Sequence, residues 1–347
     1  MQLGHLPRIK LTELPTPLEE MPRLTQALGG PKLLVKRDDL TSVGLGGNKV
    51  RKLEFLLADA QKQGATAVIT TGGPQTNHGR ITIAAAVKLG MKPALVAMGD
   101  EPVALTGNLL LDHIMGAEIY YVPPLRDESL SAYDKWKIHM DNVENKVEEV
   151  AENFRKRGEK PYIIKLGGTS VLGTLGYLDA SVEILSQLNA REIKADYLIC
   201  GVGTGGTFAG LLLGMKLLNC DLKVIGISVT AKEYMLKPLV QFEASETAAF
   251  LSSTTKIKEE EITLYDGYIG TGYGHPTKEG AEAIKRVART EGIILDPVYT
   301  GKTMAGLVDL IKQGTFTKND TVIFLHSGGV SGLFAEEQKD AFAESSL

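Results

Sequence analysis

Short apolar runs rich in β-branched residues recur along the chain and are separated by more polar stretches. Runs that lack polar alternation are typical of parallel strands buried on both faces of a sheet. Seven runs predict such strands: 67–71, 94–98, 119–122, 162–164, 197–200, 224–229 and 322–325.

Stretches with helical spacing of apolar residues lie between the strand-like runs. Alternation of strand and helix favours the α/β class, with two open, twisted, mostly parallel sheets flanked by helices. The helices are predicted over 50–63, 81–89, 208–218, 278–290 and 302–313.

Two polar segments interrupt this alternation. Residues 126–160 are dense in charged and amide side chains, which predicts a solvated surface helix or a pair of helices. Residues 243–261 show little periodicity, and we interpret them as a long surface connection.

The chain has 347 residues, of which 43% are hydrophobic, so it can bury a large core and should divide into roughly two domains. Its net charge is −4, with acidic and basic residues interspersed. This pattern argues against nucleic acid or an anionic membrane as partner, and it favours a small molecule.

No apolar run approaches the roughly 18 residues that suggest a membrane span, and the first residues lack the apolar core of a signal peptide. We therefore expect a cytoplasmic protein. Cys200 and Cys220 are the only cysteines, and we expect two reduced thiols rather than a disulfide. We expect no metal site.

Lys49 follows Gly46-Gly47-Asn48 and precedes a helical stretch, so its amine should lie at the beginning of a helix. A cation there is disfavoured by the helix macrodipole, and the resulting fall in pKa helps a lysine to act as nucleophile and base. Lys52 is the alternative amine. Because Arg51 and Lys52 lie inside the helix, we expect them to meet solvent or carboxylates.

A glycine-rich turn connects a predicted strand to a predicted helix at residues 201–207. Glycines permit positive φ and a close approach of the backbone, and the exposed N–H groups with threonine hydroxyls can hold a phosphate. The turn lacks the features of a Walker loop or of the dinucleotide fingerprint, so a phosphate monoester is the better ligand. Its central residues are Gly203, Thr204, Gly205, Gly206 and Thr207.

A second strand-to-helix turn, residues 72–80, places Thr76 and Asn77 above the strand ends, where ligands of open α/β sheets bind. Near the C-terminus, Tyr273 and Tyr299 each lie close to glycines, and Ser327 follows a strand. A nucleophilic lysine together with a phosphate turn is what pyridoxal 5′-phosphate requires.

In this order the motifs resemble the fold type II pyridoxal-phosphate enzymes of the tryptophan synthase β-like group. The closest resemblance is to the 1-aminocyclopropane-1-carboxylate deaminase and D-cysteine desulfhydrase family, and within it to the desulfhydrases. The resemblance covers nearly the whole chain. It rests on Leu14-Pro15-Thr16-Pro17-Leu18, Lys36-Arg37-Asp38-Asp39-Leu40, 46–54 and His326-Ser327-Gly328-Gly329.

The resemblance implies that Lys49 forms the Schiff base, that Asn77 contacts the phenolic oxygen of the cofactor, and that 203–207 bind its phosphate. It also implies that Thr76, Asn77 and His78 hold the substrate carboxylate, while Tyr273 and Tyr299 line the reacting face. Thr76 and the two tyrosines would share the catalysis with Lys49. A homodimer is implied as well.

Three positions help to sort the activities of this family. Its cyclopropane deaminases carry a glutamate at the position of Thr300, a leucine at that of Ser327 and a glutamine at that of His78. A hydroxyl beside the ring cannot hold a pyridinium proton as a carboxylate does, so the ring is a weaker electron sink that still suffices for β-elimination. This favours a lyase that converts D-cysteine to pyruvate, hydrogen sulfide and ammonia.

Several alternatives stay open. Lys165 precedes Gly167-Gly168-Thr169 and could bind a second anionic group, which keeps L-cysteate sulfo-lyase beside cyclopropane deamination. A pyridoxal-phosphate protein with little catalysis, or a nucleotide-phosphate binder, would use the same turns. We expect the site between a small domain, 48–164, and a large domain formed by 1–47 and 165–347.

Overall fold

The computed structural model describes residues 3–342, apart from the side chains of residues 339 and 340. Within this range the strands form two open sheets that are flanked by helices, as the hydrophobic pattern predicts. The strands are β1 (Leu18–Glu20), β2 (Lys32–Arg37), β3 (Ala67–Gly72), β4 (Lys92–Met98), β5 (Glu118–Val122), β6 (Pro161–Ile164), β7 (Tyr197–Val202), β8 (Lys223–Ser228), β9 (Thr263–Tyr265) and β10 (Thr321–His326). The helices are α1 (Pro22–Leu28), α2 (Lys49–Lys62), α3 (Asn77–Lys88), α4 (Gly107–Ile114), α5 (Ala132–Lys156), α6 (Val171–Ala190), α7 (Gly206–Leu217), α8 (Glu233–Phe250), α9 (Lys278–Glu291) and α10 (Thr300–Lys312).

The larger sheet has the strand order β1-β2-β10-β7-β8-β9, and only β1 runs antiparallel to its neighbour. Helices cover both of its faces. Leu34 and Ile323 pack on one face against α6, α7 and α8, whereas Leu33 and Phe324 pack on the other against α1, α9 and α10. Burial on both faces explains why these strands are continuous apolar runs.

The smaller sheet is entirely parallel, with the order β5-β4-β3-β6. One face packs on α2 and α3, and the other packs on α5. The buried stripe of α5 consists of Val143, Val147, Val150, Ala151 and Phe154. The polar segment 126–160 therefore contains one long helix whose outer face is solvated. Of the two predicted arrangements, a single surface helix is found rather than a pair of helices.

The prediction of a surface connection over 243–261 is wrong for its first part, since α8 continues to Phe250. The buried stripe of α8 includes Ala244, Thr247 and Ala248, which are small or hydroxylated. Side chains of this kind give a weak apolar signal although they pack as closely as larger ones.

The two cysteines are free thiols, as expected. Cys200 is buried in the core beneath the larger sheet, and burial raises the pKa of its thiol, which favours a packing role. No helix of the described part of the chain has the length and apolarity needed to cross a membrane.

A buried ionic cluster fastens α2 to the larger sheet and to α6. The Arg51 guanidinium donates to both carboxylate oxygens of Asp38 at 2.8 Å and to Glu183 at 2.8 and 3.0 Å. Tyr177 also donates to Asp38, and Lys36 donates to Glu183. Arg51 is fully buried, so the cluster holds the first turn of α2 at a defined place.

Candidate active site

Three neighbouring strands of the larger sheet, β2, β10 and β7, end at the same edge. The loops that follow them are therefore brought together. The Asn48 N–H donates to the Ser327 carbonyl at 3.0 Å, and a Cβ on Gly328 would lie 2.7 Å from the Gly47 Cα. The loop that carries Lys49 thus packs directly on the turn after β10.

Lys49 is the first residue of α2. Burial lowers the pKa of its amine to about 8, so an appreciable fraction is neutral near physiological pH. The direction of the shift is the one expected from the sequence, with burial as its cause. Gly46 has φ +70°, and a Cβ there would lie 2.1 Å from the Asp39 carbonyl oxygen, so only glycine fits this approach to the helix.

The glycine turn after β7 leads into α7 through Gly205, whose φ is +90°. The Thr204 and Thr169 hydroxyls lie 2.6 Å apart, and the Asn48 side-chain amide donates to the Thr207 hydroxyl at 3.0 Å. The first N–H groups of α7 have no intrahelical acceptor and lie at the positive end of the helix dipole. This end of the helix can therefore hold an anion.

Lys52 is fully buried, so the predicted contact with solvent is wrong. Its amine donates to the Gly167 carbonyl at 3.3 Å, and a Cβ on Gly206 would lie 2.8 Å from its Nζ. Burial and the nearby charge of Lys49 lower its pKa well below the usual value. Arg51 does pair with carboxylates, as expected, so the two adjacent basic residues differ in their surroundings.

The residues at this turn fit a phosphate. A Cβ on Gly206 would also lie 3.0 Å from the Thr169 hydroxyl, so the missing side chain leaves a concavity lined by an amine, hydroxyls and N–H groups. These are the donors that a dianion requires. Lys49, one turn before Lys52 on α2, offers an amine of the kind that pyridoxal phosphate would also require.

The beginning of α3, which follows β3 of the smaller sheet, lies opposite the loops of the larger sheet, and the space between them is called the cleft here. The Thr76 hydroxyl accepts from the Gly79 N–H at 3.2 Å and caps this helix, and Arg80 donates the next N–H to the Thr76 carbonyl. The N–H groups of Asn77 and His78 precede these bonds, so they are free of intrahelical acceptors. They can bind a carboxylate.

The Asn77 amide is oriented by Arg80. Its Oδ1 accepts from Arg80 at 3.2 Å and from Asn108 at 3.0 Å, which turns its Nδ2 towards Gly329, where a Cβ would lie 2.8 Å away. Arg80 is fully buried and also donates to the Gly46 carbonyl and to the Ser331 hydroxyl. Sequence reasoning missed Arg80, which joins segments far apart in the chain.

The His78 ring is directed towards β3 of the smaller sheet. It is 3% exposed, its Nε2 lies 2.8 Å from the Thr70 hydroxyl, and its Nδ1 lies 3.4 Å from the Thr82 hydroxyl. Burial lowers the pKa of His78 well below its usual value. The neutral ring is a packing group, so a contact of His78 with a substrate would use the backbone N–H.

Tyr273 and Tyr299 meet across the cleft. Their hydroxyl oxygens lie 2.8 Å apart and their rings pack edge to face, with centroids separated by 5.8 Å. A Cβ on Gly73 would lie 3.1 Å from the Tyr273 ring, and one on Gly203 would lie 3.5 Å from the Tyr299 ring. Burial raises the pKa of both phenols, so both are protonated at neutral pH.

Thr300 is buried and its hydroxyl is engaged with Asp296, accepting from the Asp296 N–H and donating to the Asp296 carboxylate, each at 2.7 Å. Ser327 is half-buried beside the loop of Lys49. His326 is buried, and its Nε2 lies 2.9 Å from the Ile294 carbonyl, so the end of β10 carries a histidine that already has a hydrogen-bond partner.

Known proteins share the sequence pattern and the fold of this chain. The model of a family described as pyridoxal-phosphate dependent enzymes matches residues 9–328. A candidate 1-aminocyclopropane-1-carboxylate deaminase of Pyrococcus abyssi is 42% identical over 334 residues, covering 96% of this chain and 94% of that protein.

A D-cysteine desulfhydrase of Salmonella paratyphi C is 39% identical over 345 residues, covering 96% of this chain and 98% of that protein. A crystal structure described as an ACC deaminase homologue superposes with a TM-score of 0.82 at 40% identity, covering 96% of this chain and 94% of that one. Both kinds of relative thus match this chain over nearly its full length.

Proposed function

The chain belongs to the pyridoxal-phosphate dependent enzymes, and from that premise we propose that it is a lyase that eliminates the β-substituent of an amino acid, with D-cysteine as substrate. The products would be pyruvate, hydrogen sulfide and ammonia. Within the family, both the D-cysteine desulfhydrases and the cyclopropane deaminases are relatives of this chain.

The observation that carries the choice of reaction is the pairing of Thr300 with Asp296. Thr300 offers a hydroxyl where the deaminases are expected to have a carboxylate. Asp296 cannot replace that carboxylate, because its two oxygens accept from the N–H groups of Val298, Tyr299 and Thr300 and from the Thr300 hydroxyl. A ring without a carboxylate partner suits β-elimination better than the opening of a cyclopropane.

The cofactor, when bound, withdraws electrons from the carbon that carries the substrate amine. Lys49 would hold it covalently, and Lys52 with the turn 203–207 would hold its phosphate. The N–H groups of Asn77 and His78 would bind the substrate carboxylate. The Lys49 amine, with a pKa of about 8, would take the Cα proton, and a phenol of the tyrosine pair would protonate the leaving group.

Cyclopropane deamination is the second candidate, favoured by the relatives of that name. L-cysteate is a weaker candidate than the sequence indicated. Lys165 is exposed and lies close enough to the half-buried Glu243 carboxylate to interact with it electrostatically, although burial raises the pKa of that carboxyl. Glu243 therefore competes with a sulfonate for the charge of Lys165.

The experiment is to incubate the purified holoenzyme separately with D-cysteine, L-cysteine, L-cysteate and 1-aminocyclopropane-1-carboxylate. Sulfide with pyruvate from D-cysteine is the expected result. Release of 2-oxobutyrate from the cyclopropane in the absence of sulfide would overturn the proposal in favour of the deaminase, and sulfite would point to the sulfo-lyase.

Lys49→Ala should abolish turnover, because both the covalent link and the base are removed. Lys62→Ala, which removes an exposed lysine from the end of the same helix, is the matched control and should retain wild-type turnover. Full activity in Lys49→Ala would contradict the assignment of the lysine.

A further inference from the structure

Residues 266–276 form a loop, here called the tyrosine loop, that carries Tyr273 to the cleft. The ring lies on Gly73, which follows β3 of the smaller sheet, and the hydroxyl meets Tyr299, which directly precedes α10, so the loop closes one side of the site. A backbone this rich in glycine has little intrinsic order and needs contacts that hold it in place. Its positive-φ residues are Gly270, Gly272 and Gly274.

Lys302 provides such a contact from α10. Its side chain is fully buried, and its Nζ donates to the Ile269 carbonyl at 2.7 Å and to the Gly272 carbonyl at 3.0 Å. Burial lowers its pKa to about 8, whereas the nearby Asp296 favours the charged form. An apolar side chain would fill the same space without this desolvation cost. The presence of a lysine at this buried position is therefore explained by the two carbonyls to which its ammonium donates.

The ends of the tyrosine loop are held by other groups. The Tyr268 hydroxyl donates to Asp309 at 2.7 Å, and the Gln338 side-chain amide donates to the Gly274 carbonyl at 2.7 Å. Lys302 and Asp309 lie seven positions apart on one face of α10. Between these anchors, Lys302 is the group that binds the backbone immediately before Tyr273.

We propose that Lys302 is a positioning residue, which holds the tyrosine loop so that the Tyr273 hydroxyl stays within hydrogen-bonding distance of Tyr299 above the substrate. Its effect on catalysis rests on the proposed lyase function. Its effect on the loop does not, and the two can be measured separately.

The first test is hydrogen–deuterium exchange of the holoenzyme without substrate, followed in the peptide that spans 269–274. Lys302→Met should raise the exchange rate of this peptide about ten-fold, because one ammonium with two hydrogen bonds is lost. Lys302→Gln keeps an amide donor and should give a smaller rise in the exchange rate. This variant also replaces Lys302→Met in the test if the methionine variant folds poorly. Lys36→Met, which removes a buried lysine outside the cleft, should leave this peptide unchanged.

The second test compares kinetics on the substrate identified for the wild type. Lys302→Met should lower kcat about ten-fold with little change in KM, and Lys302→Met combined with Tyr273→Phe should be no slower than Tyr273→Phe alone. Unchanged exchange at 269–274, or multiplicative losses in the double variant, would overturn the proposal. A wild type without lyase activity but with the expected exchange would refute the proposed reaction and leave the role of Lys302 in the loop standing.

Discussion

Replacing Lys49 by methionine should stabilise the cofactor-free protein while it destroys the active site. The folded protein lowers the pKa of this amine from 10.5 to about 8 because it buries the charged form. Each pKa unit corresponds to about 1.4 kcal/mol of differential stabilisation, so the shift sets an upper limit of about 3 kcal/mol at pH 7. The amine is half-buried and keeps part of its hydration, and the expected gain is therefore about 1–3 kcal/mol.

The pH dependence follows from the sign of this shift. Between pH 8 and 10.5 the unfolded chain binds more protons at Lys49 than the folded protein does, so the cost of the lysine is full below pH 8 and disappears as the pH approaches 10.5. The advantage of Lys49→Met should therefore be constant at pH 6.5–7.5 and should shrink by pH 9.5. Methionine has a similar length and no charge, which limits the change in packing.

The assay is urea unfolding of the cofactor-free wild type and variants at pH 7 and pH 9.5, followed by circular dichroism with a shared m-value. Lys62→Met removes an exposed charge from the same helix and should change the free energy of unfolding by less than about 0.5 kcal/mol. If Lys49→Met were no more stable than the wild type at pH 7, or if its gain were equal at both pH values, the reasoning from burial would be refuted.

Three further variants test the packing around the site. Arg51→Met should lower the free energy of unfolding by about 3–5 kcal/mol because it leaves the Asp38 carboxylate buried without its cation; a loss below 1 kcal/mol in urea unfolding would contradict this. Gly210→Val should cost more than about 1 kcal/mol in the same assay, since a Cβ would lie 2.6 Å from a carbonyl of α6, whereas Gly332→Ala, in open space, should be neutral. Arg80→Lys should weaken cofactor binding about ten-fold by losing the hydrogen bond that orients the Asn77 amide, and wild-type affinity in a spectroscopic titration would argue against that orienting role.

Six of the seven runs that the sequence predicts as strands have four or more residues, and only 162–164 is shorter. The run 322–325 corresponds to β10. β2 was missed because its three apolar residues, 33–35, are flanked by the charged residues Lys32, Lys36 and Arg37. β9 has three residues, too few for any periodic pattern. In the larger sheet the patterns thus find the neighbouring strands β10, β7 and β8 and miss the strands on either side, whereas all four strands of the smaller sheet were predicted. The division into two domains stays a prediction.

The local motifs of the site were readable because each strand, glycine turn and helix is continuous in the chain. The hydrogen-bond partners of Lys52 and Arg80 could not be predicted, because they are distant in the chain. Lys52 donates to Gly167, 115 positions away, and Arg80 donates to Ser331, 251 positions away. No sequence window contains both members of such a pair. The homodimer implied by the resemblance also stays a prediction.

The place of β10 in the larger sheet has a consequence for biosynthesis. The four strands of the smaller sheet lie within residues 67–164, so that sheet can pair while the chain is still being synthesised. In the larger sheet β2 and β7 can meet only through β10, which is made last. Until residues 321–326 leave the ribosome, two apolar strands present unpaired edges, which is the condition under which nascent chains recruit chaperones. Because the turn after β10 also supports Lys49, the surroundings of this lysine are complete only once β10 has been made and has paired.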